Sequence, residues 1–525
     1  MTRSDHEIET IPRRFRGIAR RYPDAPVVVG CGRDLSFAGL DSASDGVAGA
    51  LAAAGICPGD RIGLYCPNGA ELVIAYLGIL KAGACVVPIN LMLNPLEVGF
   101  ILRDAGARGT FFHASLAESA AAALADAPGV GLRVRIGGAG GAGGLDFEAM
   151  VASGSAPPTL DLDPEEDLAA ILYTSGTTGR PKGAMLSHHN LVANTTSVME
   201  ALALEPGRDR ILVVLPMFHA FAATVGMLMP LLHGLSLIPV QRFDPRQVSA
   251  AIAANAATVF LGVPSMYALL LRLDEVAVAQ WGTVRLCVCG GAALPAAVMA
   301  GFEARFGIPI LEGDGPTECS PVTCVNPVAG PRRPGSVGPP IPGVEMRIAD
   351  PQGATLPDGE HGEVCVRGPN VMRGYWGLPG ETAASFFDDW FRTGDLGWRD
   401  ADGYLYLVDR IKDLIITNGM NVYPRVIEES LYQHPEVAEA AVVAEPHPLH
   451  GEVPVAYVVP QPGATLAPAA LRDWCRARLG RHEVPRRILV REALPKNAAG
   501  KILKRELRRQ GELERGVDLP GGAAG

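Results

Sequence analysis

The stretch Ile171 to Asn190, ILYTSGTTGRPKGAMLSHHN, runs an apolar segment straight into a Ser/Thr/Gly turn that carries Lys182. A polyphosphate is the natural guest of such a turn. The glycines, Gly176 and Gly179 among them, let backbone N–H groups converge on an anion. The hydroxyls of Thr174, Ser175, Thr177 and Thr178 add donors, and Lys182 adds charge. The spacing is not that of a Walker A loop, because Pro181 and not a glycine precedes Lys182. An ordinary polar turn is the weaker competing reading of the stretch. A second candidate, IGGAGGAGGLDF, satisfies G-x-G-x-x-G at Gly138, Gly140 and Gly143. The helix that could follow ends by Gly154 and the run is low in complexity, so it reads as a surface loop rather than a dinucleotide site.

Four further segments recur in a fixed order: EGDGPTE (Glu312 to Glu318), RTGD (Arg392 to Asp395), DRIKDLIITNGMNVYP (Asp409 to Pro424) and PKNAAGKILKREL (Pro495 to Leu507). With the phosphate-type turn, they resemble the signature motifs of the adenylate-forming superfamily: acyl-CoA synthetases, peptide-synthetase adenylation domains and firefly luciferases. The overall resemblance is strongest to bacterial fatty-acyl-CoA ligases, with aromatic-acid CoA ligases behind them. It implies an ATP-dependent acid–CoA ligase. A carboxylate and ATP give an acyl-adenylate and pyrophosphate, and the acyl group then passes to coenzyme A.

The same resemblance implies roles. Thr317 would hydrogen-bond the α-phosphate, and Glu318 would ligate Mg²⁺, which favours oxygen ligands and phosphate co-ligands. Asp395 would accept both ribose hydroxyls, with Arg410 assisting at ribose or phosphate. The backbone of Gly291, Ala292 and Ala293 would lie along adenine, next to Asp314 and Gly315. Lys501 would reach the substrate carboxylate and the α-phosphate in the adenylation transition state, as a mobile point charge. Lys412 marks the hinge of a rotating C-terminal domain, and Gly419 the approach of the pantetheine arm. Asp314 is a departure, since most relatives carry an aromatic residue there. Stacking on adenine is lost, and a carboxylate that can accept from the adenine amino group takes its place.

For the acid, amino-acid-activating relatives use an Asp where PMFHAFAATVGM places His219, so no buried counter-charge awaits an ammonium. His219, Phe221, Thr224, Met227, Val263 and Pro264 are candidates for an apolar acyl pocket, each with ordinary core packing as the competing reading. A medium- or long-chain fatty acid is the expected substrate. An aromatic acid, an acyl-AMP ligase serving a carrier protein and a nucleotide-binding relative without catalysis are the alternatives.

These residues need elements to hold them. Apolar runs such as Arg61 to Tyr65, Cys85 to Pro88, Ile211 to Leu215, Val259 to Gly262 and Arg285 to Cys289 alternate with Ala- and Leu-rich helical segments. That rhythm implies layered α/β architecture with parallel sheets. From Gly343 to Arg410 short strands with Gly, Pro and Asp-Gly turns suit a small β-barrel or distorted sheet. The expected division is residues 1–409 as an AMP-binding domain and 410–525 as a smaller, mobile α+β domain with the catalytic lysine.

With 525 residues and 48% hydrophobic content the chain can bury a large core, and its net charge of −10 is spread, which excludes a nucleic-acid footprint. The apolar stretches Val73 to Leu93 and Thr224 to Val240 are interrupted by Lys81 and Pro88 and by Pro230, His233 and Pro239, and read as core rather than membrane spans. The polar N-terminus lacks a secretory pattern, and the ten cysteines without regular spacing fit reduced thiols, so a cytoplasmic protein is expected. A homodimer is left open.

Overall fold

The computed structural model describes residues 8–138, 144–174, 180–497 and 500–514. Gly140 and Gly143 of the glycine run lie outside the described residues.

Two largely parallel sheets form the body of the molecule. In the first the strands run in the order Cys324–Val325, Ile310–Asp314, Leu286–Cys289, Val259–Gly262, Arg210–Val213, Ser236–Pro239, Pro26–Val28, Leu35–Ser36. Only its two outer pairings are antiparallel. In the second the order is Leu145–Asp146, Leu132–Ile136, Ala107–His113, Arg61–Tyr65, Cys85–Pro88, Leu168–Thr174, Lys182–Ser187. The last pair is antiparallel and places Thr174 opposite Lys182. Central strands are apolar on both faces because helices cover both, as parallel sheets require.

Helix Ala70–Lys81 is buried at every residue but Glu71 and packs on helix Phe37–Ala53. The fully buried Lys81 ammonium meets Asp41 at 2.5 Å and Asp45 at 2.7 Å. The stretch read as core rather than membrane therefore divides between this helix and strand Cys85–Pro88. Among the described residues no helix is long and apolar enough to cross a membrane. Cys287 and Cys289 are fully buried.

The unit expected as a small barrel is a curled antiparallel sheet of Glu345–Ala349, Gly362–Arg367, Trp390–Arg399 and Phe386–Phe387, with Leu405–Arg410 paired to Trp390–Arg399. Its apolar residues join the main core. From Ile415 onward the chain builds a separate sheet with its own cores, and helices Pro424–Tyr432, Pro468–Arg476 and Lys504–Glu514 accompany it.

Candidate active site

The site is assembled where the ends of these sheets meet. Strand Ile310–Asp314 ends at Asp314 and runs through Gly315 into the short turn Thr317–Cys319. Gly315 has no room for a side chain, since a Cβ there would fall 1.7 Å from the Pro321 carbonyl oxygen. The turn is fixed from outside: Asn370 Nδ2 donates to Cys319 O at 2.8 Å, and Met372 N donates to Glu318 O at 2.7 Å.

Asp395 and Arg410 face each other across an antiparallel pairing, and Arg410 Nε meets Asp395 Oδ1 at 2.7 Å. Burial raises the Asp395 carboxyl to about 6; Arg410 opposes this and the nearby Asp314 carboxylate reinforces it. Asp314 is likewise raised by burial, against the pull of Arg410 and Lys501. Burial alone would lower Arg410, but the carboxylates of Asp395, Asp314 and Glu318 overturn that and raise it.

Lys501 follows a tight turn in which Gly500 N donates to Asn497 O at 2.9 Å, while Lys501 N donates to Asn497 Oδ1 at 2.9 Å. A Cβ on Gly500 would lie 3.1 Å from Val263 Cγ2 and 3.2 Å from Ser265 Oγ, so this turn is laid on the start of helix Pro264–Leu270. Lys501 is open to solvent within a cleft whose walls lower its pKa. Arg410 adds to that effect, and Asp395 and Asp314 counter it.

On the opposite side, the Lys182 ammonium pairs with Glu381 and lies 5.1 Å from the centre of the Tyr375 ring. Tyr375 OH donates to Glu318 Oε1 at 2.8 Å. The phosphate-type hairpin is thereby linked to the Thr317 turn. Ser175, Gly176, Thr177, Thr178 and Gly179 lie outside the described residues; Thr174 and Lys182, on the flanking strands, are within them. Gly291, Ala292 and Ala293 form an exposed segment, anchored by Leu294 N donating to the buried Glu312 Oε1 at 3.0 Å. Burial pushes the Glu312 carboxyl up to about 7.

Beneath Asp314 and Thr317 lies a cavity of about 60 Å³. His219 and Phe221, two of the acyl-pocket candidates, line it together with Gly291, Asp314, Gly315 and Thr317, which the sequence reading assigns to the nucleotide site. So do Val198, Leu202, Val225 and Val288, which the sequence reading did not single out. Thr224 and Met227 instead point into the packed interior, Val263 borders the Lys501 turn, and Pro264 opens helix Pro264–Leu270; neither Val263 nor Pro264 lines the cavity. Burial, aided by the Lys501 charge, lowers His219 to about 4, so it is neutral at ordinary pH.

Lys412 sits in the short turn Ile411–Asp413 after Arg410. Gly419 is exposed, and a Cβ there would meet nothing within 4 Å. It forms with Asn418 the two-residue link between paired strands Ile415–Thr417 and Met420–Val422. Both φ angles are positive, 52° and 77°, as a type I′ hairpin turn demands. Tyr375, Glu381, Asn370 and Glu312 escaped the sequence reading of the site, although Glu312 lies inside a quoted motif.

Residues 15–376 match the AMP-binding enzyme family and residues 426–501 the AMP-binding enzyme C-terminal domain. The chain belongs to the AMP-binding enzyme family. It is an acid–thiol ligase of the adenylate-forming kind, whose family uses ATP and coenzyme A with Mg²⁺ as the usual ion. It is 38% identical over 493 residues to a feruloyl-CoA synthase from Amycolatopsis, covering 94% of this chain and 97% of that protein. To a sulfoacetate–CoA ligase from Cupriavidus necator it is 38% identical over 505 residues, covering 93% and 95%. To a long-chain-fatty-acid–CoA ligase from Bacillus subtilis it is 34% identical over 525 aligned positions, covering 93% and 92%. Among solved structures, ATP-bound MatB from Rhodopseudomonas palustris superposes with a TM-score of 0.88 at 34% identity, covering 96% of this chain and 99% of that one. The anthranilate CoA ligase AuaEII in complex with anthranoyl-AMP gives 0.90 at 29% identity, covering 98% and 100%.

Proposed function

We propose that this acid–CoA ligase activates a monocarboxylic acid with a compact, uncharged, apolar body, an aromatic acid before a long fatty chain. The lining of the cavity beneath Asp314 carries this reading. Among the described residues it is lined by no Lys or Arg, and its one imidazole, His219, is held neutral. A second anionic group, such as the sulfonate of sulfoacetate, would be buried there with no cation in the lining to pair with, at high cost. About 60 Å³ suits a small rigid body, whereas a long chain needs the cavity to lengthen between Val198, Leu202 and Val325.

In this reading residues 1–409 form the AMP-binding domain and residues 410–525 the mobile one, with Lys412 as hinge. One carboxylate oxygen of the acid attacks the α-phosphorus of ATP. A C–O–P linkage forms and pyrophosphate leaves with the electron pair of the broken P–O bond. Lys501 and Thr317 stabilise the charge that builds on the phosphoryl oxygens. Asp395 and Arg410 orient the ribose, Gly291 to Ala293 lie along adenine, and Asp314 accepts from its amino group. The Thr174 to Lys182 hairpin holds the β- and γ-phosphates.

Glu318 is the residue that would hold Mg²⁺. Among the described residues no group of three or more His, Cys, Asp or Glu side chains could form a metal cage. A lone carboxylate suits an ion that keeps water and phosphate oxygens as its other ligands. Bound there, Mg²⁺ would neutralise phosphate charge. After rotation about Lys412, with Gly419 beside the pantetheine arm, the CoA sulfur attacks the acyl carbon and AMP departs.

A panel of benzoate- and cinnamate-type acids, C6 to C16 fatty acids and sulfonated or dicarboxylic acids, assayed with and without CoA, tests this. Aromatic acids should give the highest kcat/KM and a CoA thioester product. Preference for a dianionic acid would refute the pocket argument, and adenylate accumulating despite CoA would favour a carrier-protein acceptor.

A further inference from the structure

We propose that Asp409 and Arg425 form a clasp across the hinge that holds the C-terminal lobe in its adenylate-forming orientation, making both positioning residues for Lys501. The inference rests on the reading of Lys412 as the pivot.

Helix Pro424–Tyr432 starts after Tyr423, a residue with no side chain able to take the first free N–H groups of the helix. An uncapped start is unfavourable. The missing acceptor comes from the far side of the hinge, where Asp409 Oδ2 accepts from Arg425 N at 3.0 Å. The Arg425 side chain reaches back along the same path. Its Nη1 donates to Leu407 O at 2.5 Å, and its Nε meets Glu429 Oε1 at 3.2 Å. Only 14% of that side chain is exposed. Leu407 and Asp409 belong to strand Leu405–Arg410 of the curled sheet, so each bond except that to Glu429 joins the two sides of residue 412.

Asp409 has a second neighbour from the moving side. Burial raises its carboxyl, and the Lys504 ammonium opposes that most strongly. Lys504 pairs with Glu428 at 2.8 Å and opens helix Lys504–Glu514, three residues beyond Lys501. One carboxylate is therefore faced by the starts of two helices, one carrying Arg425 and one following the catalytic lysine. The Arg425 charge also favours the ionised forms of Glu312 and Asp314 against their burial. A cation of the moving lobe thus serves buried carboxylates of the adenine region, and turning the lobe about residue 412 withdraws it. None of the assigned steps of phosphoryl or acyl transfer uses Arg425 or Asp409.

The test uses the full-length chain and separates the half-reactions: acid-dependent pyrophosphate release without CoA, and thioester formation from supplied acyl-adenylate. Arg425→Met and Asp409→Ala should slow the first by roughly tenfold, the loss typical of a cap or a charged hydrogen bond, and leave the second unchanged or faster. Asp409→Asn keeps an oxygen that can accept the Arg425 N–H and should restore adenylation to within about threefold of wild type. Equal losses in both half-reactions, or wild-type adenylation by Arg425→Met, would overturn the clasp.

Spin labels at Leu96→Cys and Leu449→Cys, positions 72% and 81% exposed, in a Cys57→Ser background read the lobe orientation without turnover. Arg425→Met should broaden or split the distance, and an unchanged distribution contradicts the proposal. If wild type forms no adenylate from any acid, the ligase reading fails, while the label distances still decide the clasp.

Discussion

Lowering the pH should disable nucleotide use before it harms the fold, and Asp314 should set where this happens. In its proposed role at the ribose, the Asp395 carboxylate must be ionised to accept two hydroxyls, yet burial raises it to about 6 and the Asp314 carboxylate adds to that rise. Under a single-site titration about one-tenth of Asp395 is ionised at pH 5, so kcat/KM for ATP should stand roughly tenfold below its neutral plateau. Asp314→Asn removes a like charge and should move the midpoint down by about one pH unit. The variant would then retain about half its plateau at pH 5. ATP's own ionisation is common to both enzymes and cancels in the comparison, and a Glu312→Gln background removes the carboxyl held at about 7.

Stability should move the other way. A carboxyl whose folded pKa lies above its ordinary value of 3.8 binds more protons folded than unfolded. Its contribution is most favourable below about pH 4 and declines as pH rises to about 6. The assay is kcat/KM for ATP from pH 4.5 to 8 beside melting curves over the same range. An acid limb that stays put or moves up in Asp314→Asn would refute the reasoning.

Lys501→Ala should slow adenylation by about 10²–10³-fold, as expected for one lost transition-state donor, while thioester formation from supplied acyl-adenylate persists; equal loss of both steps would deny Lys501 its role. Lys412→Pro fixes φ at the proposed hinge and should depress overall turnover while one half-reaction survives, as stopped-flow measurement of each step would reveal. Asp314→Tyr, which restores a stacking ring, should change KM for ATP; a large improvement would argue against a recognition role for the carboxylate. Lys81→Ala strips the partner from Asp41 and Asp45 and should cost about 3 kcal/mol in urea unfolding, at the lower end for a buried pair because both carboxylates are about a quarter exposed.

What the sequence revealed and what it hid divides along local and distant chemistry. Apolar runs bounded by turns gave the strands Arg61–Tyr65, Cys85–Pro88 and Val259–Gly262 to the residue, because a strand buried on both faces writes itself as a short continuous string. The pairing of Asp395 with Arg410 was half visible, since each residue lies in its own motif but only the antiparallel register makes them neighbours. The bonds Tyr375 to Glu318, Leu294 to Glu312 and Arg425 to Asp409 join residues 57, 18 and 16 positions apart, with no periodicity to announce them. Part of the expected acyl wall lies away from the cavity beneath Asp314 for a specific reason. Residues 222–228 form a wide π-helical turn, which alters the side-chain register expected of an α-helix. Val225 faces the cavity, and Thr224 and Met227 turn into the core.

The electrostatics explain how a chain of net charge −10 can host a polyanion. Each cation of the cleft already answers a carboxylate: Lys182 pairs with Glu381, Arg410 with Asp395, and Lys501 feels Asp395, Asp314 and Asp413. Bare clustered cations would repel one another in a partly desolvated space, so these partners lower the cost of preparing the site. They also make its charge adjustable. Asp314 and Glu312 are held against burial partly by Arg425, a residue beyond the proposed hinge. Rotation about Lys412 would change the protonation of the adenine region and the position of Lys501 together. In the proposed mechanism, a lobe that carries both the Lys501 ammonium and a counter-charge of the nucleotide pocket couples chemistry to grip, which one active site serving two successive reactions requires.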